Sequence, residues 1–465
     1  MSNLTNIREA QPARQVPPGP KGYPLVGLIP RLMRDMMGTY REAAQIGGIV
    51  EMDLGMQRAY LLTDPELIKH VLLDNYRNYV KGEQLDSIRP LLGNGLFLSE
   101  GDFWFTQRRL MQPAFYRPKL SGLADVMVEA AQMVVDRWEA QPPDQPVNMM
   151  YEMRQITQSV IVQAMFSTSI SREETIRAGE ALDYALLTLV ERSITPFSMP
   201  EWLPTARNRR LREALATLDE VVYRFIDERR ALVSRTEDGY DPTGDLLSML
   251  INVRYEDTGE GMSDQQLRDE VMTMFLAGHE TTANTLTWVW YLLSQHPEIE
   301  ARLHAELDDV LGGRAPTFAD LDTLAYTRMV IEETLRMYPA VWMTGRQSIE
   351  EDVIGGYTIP ADSMLMLSFY FMHHDPTYWD EPEVFRPERF SEGGAQDRPR
   401  WAYLPFGGGP RVCIGQHFAL MEAQLVLALI AQRYAPRLVP GQPIDLRLMG
   451  TLQPKEGPWM LLERR

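Results

Sequence analysis

One residue in 465 is a cysteine, Cys413, and it stands in the segment FGGGPRVCIG. The thiolate is the reactive, metal-binding form of cysteine, and it is favoured at a helix N-terminus and beside cations. Both conditions surround Cys413. The apolar, helix-forming run IGQHFALMEAQLVLALIAQRY follows it, and Arg411 lies two positions before it. Gly407, Gly408 and Gly409 permit a tight turn and a close approach to another group, and Pro410 stiffens that turn. Three roles are open to a cysteine so placed. It can be an inert core thiol, the nucleophile of a Cys–His pair, or the axial thiolate of a haem iron. The nucleophile requires a matched histidine with Asn or Asp, and none of the seven histidines stands in such a pattern.

Other polar residues sit where they are costly. AGHETT (residues 277–282) interrupts a long apolar stretch. Its Gly278 weakens a helix by about 1 kcal/mol relative to alanine, and threonine diverts helix hydrogen bonds. The run reads either as a polar face paired with a neighbour or as working groups. Met274, Ala277 and Thr281 share one helical face. Glu333 and Arg336 in ETLR are spaced to pair, although a surface pair at that spacing contributes little. FRPERF adds Arg389. WFTQRR places Trp104 and Arg108 four apart, and MTGRQ supplies Arg346. These arginines suit buried carboxylates, or are ordinary surface charges.

The elements that must carry these residues are mostly helical. Residues 17–27 are too proline-rich for a helix and read as part of an extended arm over 1–30. GIVEMDLGMQRAYLLTD predicts a β-hairpin, and Asp64-Pro65 starts a helix. From about 121 to 312 the pattern is helical, with loops near 141–146, 198–206 and 237–244. The clearest helix begins at the capping box SDQQ, Ser263 with Gln266, and runs to Gln295 before Pro297. Its 32 or so residues span roughly 48 Å, enough to cross a large core. A shorter helix carries MVIEETLRMYP, and strand-like pieces follow over 345–368. The expectation is a mainly α fold with a minor β part, in a single domain over 1–465.

Composition narrows the function. The net charge of −18 argues against nucleic acid as the main partner. One cysteine excludes an internal disulfide and a cysteine-built zinc site. The polar N-terminus lacks a secretory apolar region, and no apolar run is long enough for a membrane span. A cytoplasmic protein is expected.

FGGGPRVCIG closely resembles the cysteine-ligand loop of the cytochrome P-450 family of haem-thiolate monooxygenases. Every fixed position of F-G-x-G-x-R-x-C-x-G is filled, and the other motifs follow in family order from Pro17 to the C-terminus. The resemblance implies the family's fold, with the long helix over a haem b. It makes Cys413 the axial iron ligand, with Phe406 and Gly415 in the same loop, and turns Arg411, Arg346, Arg108 and Trp104 toward the haem propionates. Ala277 leaves room for haem and substrate, and Glu280 and Thr281 match the family's acid–alcohol pair. Glu333, Arg336 and Arg389 become a structural lock. The implied reaction inserts one oxygen atom of O2 into an apolar small molecule such as a fatty acid, terpenoid or steroid. Leu91, Leu92, Phe97, Met274, Ala277, Val341, Trp342, Met343 and Leu452 occupy the family's substrate-contact segments. No reductase is fused to these elements, so NAD(P)H electrons are expected through a separate ferredoxin, flavodoxin or reductase. Arg109, Arg117, Lys119, Arg398 and Arg400 are candidates for a basic docking patch on a monomer. A peroxide-using peroxygenase or isomerase and a non-enzymatic haem gas sensor are the alternatives.

Overall fold

The computed structural model describes residues 16–465 except 56, 143, 167–171, 195–201, 236–244, 256–258, 395–397 and 449. The expected loop at 237–244, residues 198–201 of that at 198–206 and the first half of the arm lie outside the described residues. From Val16 the arm runs without helix to Gly22, turns back on itself with Tyr23 bridged to Gly27, and ends at Leu28. Pro30 sits in the first turn of a short helix, Ile29–Arg34, because proline fits where no N–H is needed.

The hairpin forms as the sequence predicts, Ile49–Asp53 against Arg58–Leu62. Asp64 caps the next helix by accepting from the backbone N–H of Glu66 and Leu67. The hairpin belongs to a five-stranded sheet, in order Ile49–Asp53, Arg58–Leu62, Met364–Ser368, Met343–Ser348 and Tyr79–Val80. Only the pair Arg58–Leu62 with Met364–Ser368 is parallel.

The rest is mainly helical. The long helix spans Asp264–Gln295, 32 residues, and opens on the Ser263–Gln266 capping box. It packs against helices Met149–Phe166, Ala206–Val233, Ala325–Met337 and Gln416–Ala431. Gly278 is explained by that packing: a Cβ there would lie 2.8 Å from Cδ1 of Ile161. The helix Gln416–Ala431 follows Cys413 and is almost wholly buried from Phe418 onward. It stops at Ala431, short of the apolar run's end, because Tyr434 begins a strand.

Burial sets a pH dependence. Desolvation lifts the Glu270 carboxyl to about 8 and Glu422 well above its ordinary range. It holds His279 down to about 3, and His304 and His374 to about 4. A carboxyl whose folded pKa is raised stabilises fully below its unfolded pKa, and loses that contribution as pH rises to the folded value. The histidines act oppositely, but only below about pH 6.5. Above that pH the carboxyls act unopposed by these histidines, but Lys81, held well below the ordinary lysine range, acts the other way. The melting temperature of the wild type relative to Glu270→Gln is therefore expected to fall between about pH 6.5 and 8. A difference between the two proteins that rises over that interval in calorimetry contradicts this account.

Candidate active site

The cysteine loop is held by its own backbone. Cys413 N donates to Phe406 O at 2.9 Å, Gly407 N to Leu404 O at 3.1 Å and Val412 N to Gly409 O at 3.1 Å. Gly407 and Gly409 have φ of +71° and +67°, the left-handed region that favours glycine. A Cβ on Gly409 would stand 1.9 Å from the carbonyl oxygen of Leu72, and one on Gly408 2.6 Å from the Trp401 ring. The close approach expected of these glycines is thus to the protein itself. Phe406 is half-buried against the main core.

Cys413 has open surface, yet desolvation by the surrounding protein pushes its thiol pKa up. Open surface combined with desolvation describes a walled recess. The Gly415 N–H and the Arg108 guanidinium oppose the rise and favour the thiolate.

Cations gather around this recess. Arg411 pairs with Glu100, donates to Ser99 O at 2.8 Å, and lies 4.0 Å over the Trp104 ring. Arg346 is 8% exposed and donates to Thr344 Oγ1 and Gly345 O. No carboxylate pairs with it among the described residues, and burial with the nearby Arg411 charge lowers it to about 10. Burial also lowers Arg108, with the Cys413 sulfur opposing.

Lys81 was not found from the sequence. Burial, then Arg411 and Arg346, hold it well below the ordinary lysine range. No local pattern in YVKGEQ separates it from a surface lysine. Its place is set by strand pairing: Tyr79 faces Ser348 and Val80 faces Gln347, so the continuing register brings Lys81 level with Arg346. Glu100, which accepts from Lys81 N at 2.9 Å, was missed for the same reason.

On the long helix, Ala277 is exposed although most of its neighbours are buried. Thr281 Oγ1 donates to Ala277 O at 2.7 Å. Glu280 points elsewhere: it accepts from Thr451 Oγ1 at 2.8 Å. Burial raises its pKa, while Thr451 and Arg154 hold it back. The acid and the alcohol, adjacent in the chain, therefore engage different partners.

Glu333, Arg336 and Arg389 come together. Arg336 grips both Glu333 oxygens at 2.8 Å, and Arg389 Nε reaches Oε1 at 3.2 Å. Glu333 and Arg336 are fully buried and Arg389 nearly so.

The pocket residues divide. Phe97 is open at 43% and Ala277 is exposed, whereas Val341 and Met343 are half-buried and Met274 is 7% exposed. Leu91, Leu92, Met274, Trp342 and Leu452 are packed in hydrophobic cores, Trp342 against Tyr40 at 5.7 Å. Apolar character did not distinguish a core side chain from a pocket wall. The basic patch also shrinks. Arg117 pairs with Asp322 at 2.6 Å, and Arg398 stacks 3.9 Å over Trp379. Arg109, Lys119 and Arg400 are exposed.

A mainly helical fold that presents one recessed sulfur among buried cations, with an acid and an alcohol midway along a core-crossing helix, is compatible with the haem-thiolate class. The sequence profile described as Cytochrome P450 matches residues 17–460. Cyclooctatin synthase from Streptomyces melanosporofaciens is 39% identical over 429 residues, covering 92% of this chain and 91% of that protein. Cyclooctat-9-en-7-ol 5-monooxygenase from the same organism is 40% identical over 422 residues, covering 91% and 90%. Protein LUTEIN DEFICIENT 5, chloroplastic, from Arabidopsis thaliana is 31% identical over 437 residues, covering 90% and 72%. The chain belongs to the cytochrome P450 family and is an oxidoreductase of the monooxygenase type. The family implies a haem, and the site's chemistry fits one: a soft sulfur for iron, and more buried cation than carboxylate, as two propionates require. No helix among the described residues is long and apolar enough to cross a membrane.

Proposed function

We propose that the chain hydroxylates a neutral, largely hydrocarbon substrate of the terpenoid class. The carrying observation is the exposed Cys413 sulfur beside the half-buried Arg108 and Arg411, with the apolar Phe97 and Ala277 also left exposed. Two relatives whose names refer to cyclooctatin and cyclooctat-9-en-7-ol support the substrate class.

Cys413 would hold the iron of a haem b, and Arg108, Arg346, Arg411 and Lys81 are the cations that would answer its propionates. Trp104 orients Arg411 by stacking on it. When bound, such a group would supply the dioxygen chemistry, which a thiolate ligand favours. Everything else is the work of this chain's side chains. Phe97, Ala277 and Met274 exclude water and orient the substrate. Thr281 exchanges its donation to Ala277 O for donation into the site. Glu280 supplies protons, burial raising its carboxyl pKa while its bond from Thr451 holds it back. Glu333, Arg336 and Arg389 hold the framework behind the cysteine loop. The 465 residues act as one domain and as a cytoplasmic monomer, with NAD(P)H electrons delivered by a ferredoxin, flavodoxin or reductase.

Reduced protein under carbon monoxide is expected to give the red-shifted Soret band of thiolate ligation. A substrate panel should then give spin-state shifts with cyclic terpene alcohols and not with fatty acids; the reverse preference refutes the substrate class. Thr281→Ala is expected to cut product per reducing equivalent by about tenfold or more and to raise peroxide release. Unchanged coupling in that variant removes Thr281 from proton delivery.

A further inference from the structure

We propose that Asp269 and Glu270 are positioning residues for the substrate-facing wall, because they clamp the loop that projects Phe97. The inference rests on the monooxygenase reading and names its specificity device.

Glu270 lies on the same face of the long helix as Met274, Ala277 and Thr281, at helical spacings of four, seven and eleven. It is two turns before Ala277, about 10 Å along the axis. Its side chain is 1% exposed and its Oε2 accepts from Leu96 N at 2.9 Å. The neighbouring Asp269 Oδ2 accepts from Asn94 N at 2.8 Å. Two consecutive acidic side chains therefore hold alternate amides of one loop.

The loop is shaped for that grip. A Cβ on Gly93 would lie 2.0 Å from Asp269 Oδ1, and one on Gly95 2.5 Å from Asp269 O. Gly93 also has φ of +57°. Asp269 is braced in turn by Gln265 at 2.9 Å and by Arg268 at 3.1 Å, and Arg268 pairs with Asp219.

The far end of the loop is tied as firmly. Ser99 O and Glu100 bind Arg411 of the cysteine loop. Phe97 lies between the two ties. Its neighbours Leu96 and Leu98 are 8% and 4% exposed, whereas Phe97 is 43% exposed with Lys81 Nζ 4.0 Å over its ring. Lys81 interacts with Arg411 and Arg346, so Phe97 stands at the cationic corner of the site. Loosening either tie moves the ring.

The test compares two probes of the haem-loaded protein: imidazole, which needs little of the pocket wall, and phenylimidazole, which fills it. Glu270→Ala is expected to weaken phenylimidazole about tenfold and imidazole less than twofold. Glu270→Gln, which keeps an acceptor oxygen, should restore most of the difference. In a Phe97→Ala background, Glu270→Ala should cost nothing further. Equal Kd for phenylimidazole in wild type and Glu270→Ala, or a full loss in the Phe97→Ala background, overturns the proposal. Hydrogen exchange on the wild-type holoprotein needs no variant to fold. Slow exchange at Asn94 and Leu96 supports the clamp, and exchange at the rate of an open loop overturns it. Absence of a thiolate Soret band in the wild type would instead refute the underlying reading.

Discussion

Cys413→Ser will fold but lose the thiolate Soret band under carbon monoxide, and its oxygenation rate will fall by about a thousandfold, roughly 4 kcal/mol of barrier. The exchange is nearly isosteric. The loop is shaped by Gly407, Gly409 and the Cys413 N to Phe406 O bond, none of which involves the sulfur. Fold and function therefore separate at this atom. The Gly415 N–H and Arg108 guanidinium favour an anion there, but a serine hydroxyl ionises far less readily and is a harder ligand. The electron density that assists O–O cleavage goes with the sulfur. Circular dichroism, the reduced carbon monoxide spectrum and product formation are the three readouts. Turnover within tenfold of wild type would show that Cys413 is not the ligand.

The largest effect on stability is expected from Glu333→Gln, at about 3–5 kcal/mol. The Glu333 carboxylate is fully buried and accepts from Arg336 Nε and Nη2, Arg389 Nε and Arg386 N. Glutamine replaces one acceptor oxygen with an NH2 group that meets a guanidinium, and leaves two buried arginines without a counter-charge. A buried ion pair can be a poor source of net stability, yet removing one partner is severe because the other charge stays desolvated. Arg117→Ala, which breaks an exposed pair with Asp322, serves as the control and should cost under about 1 kcal/mol. Denaturant titration decides it. If Glu333→Gln unfolds within about 1 kcal/mol of wild type, the three residues are not the lock their geometry indicates.

Legibility followed the range of the forces involved. The long helix was readable to its termini because a capping box, apolar periodicity and Pro297 are local signals. ETLR was readable as a possible pair, since i and i+3 meet on any helix. Its burial, and the arrival of Arg389 from 56 positions away, were not local. Lys81 and Glu100 look like surface charges in sequence. Only the register between Tyr79–Val80 and Gln347–Ser348 places Lys81 beside Arg346. Asp269 and Glu270 look like two polar residues near a helix start, yet they meet a loop about 174 positions earlier.

The expected pocket residues are a different case. Leu91, Leu92, Met274, Trp342 and Leu452 are apolar in the segments where a wall is expected, and they are packed in hydrophobic cores. Hydrophobicity reports that a side chain avoids water, not whether protein or substrate covers it.

By itself, the sequence carried the family resemblance that implies the reaction class and singles out Cys413, and it determined the helical scaffold, because loop motifs, helix caps and apolar periodicity are short-range features. Tertiary structure alone decided which charges lie together without water, and hence which are desolvated and mutually perturbed. It also decided which way Glu280 and Thr281 turn, and that Phe97 is held between two tethers. Those outcomes depend on strand register and helix packing, where contacts form between residues far apart in the chain.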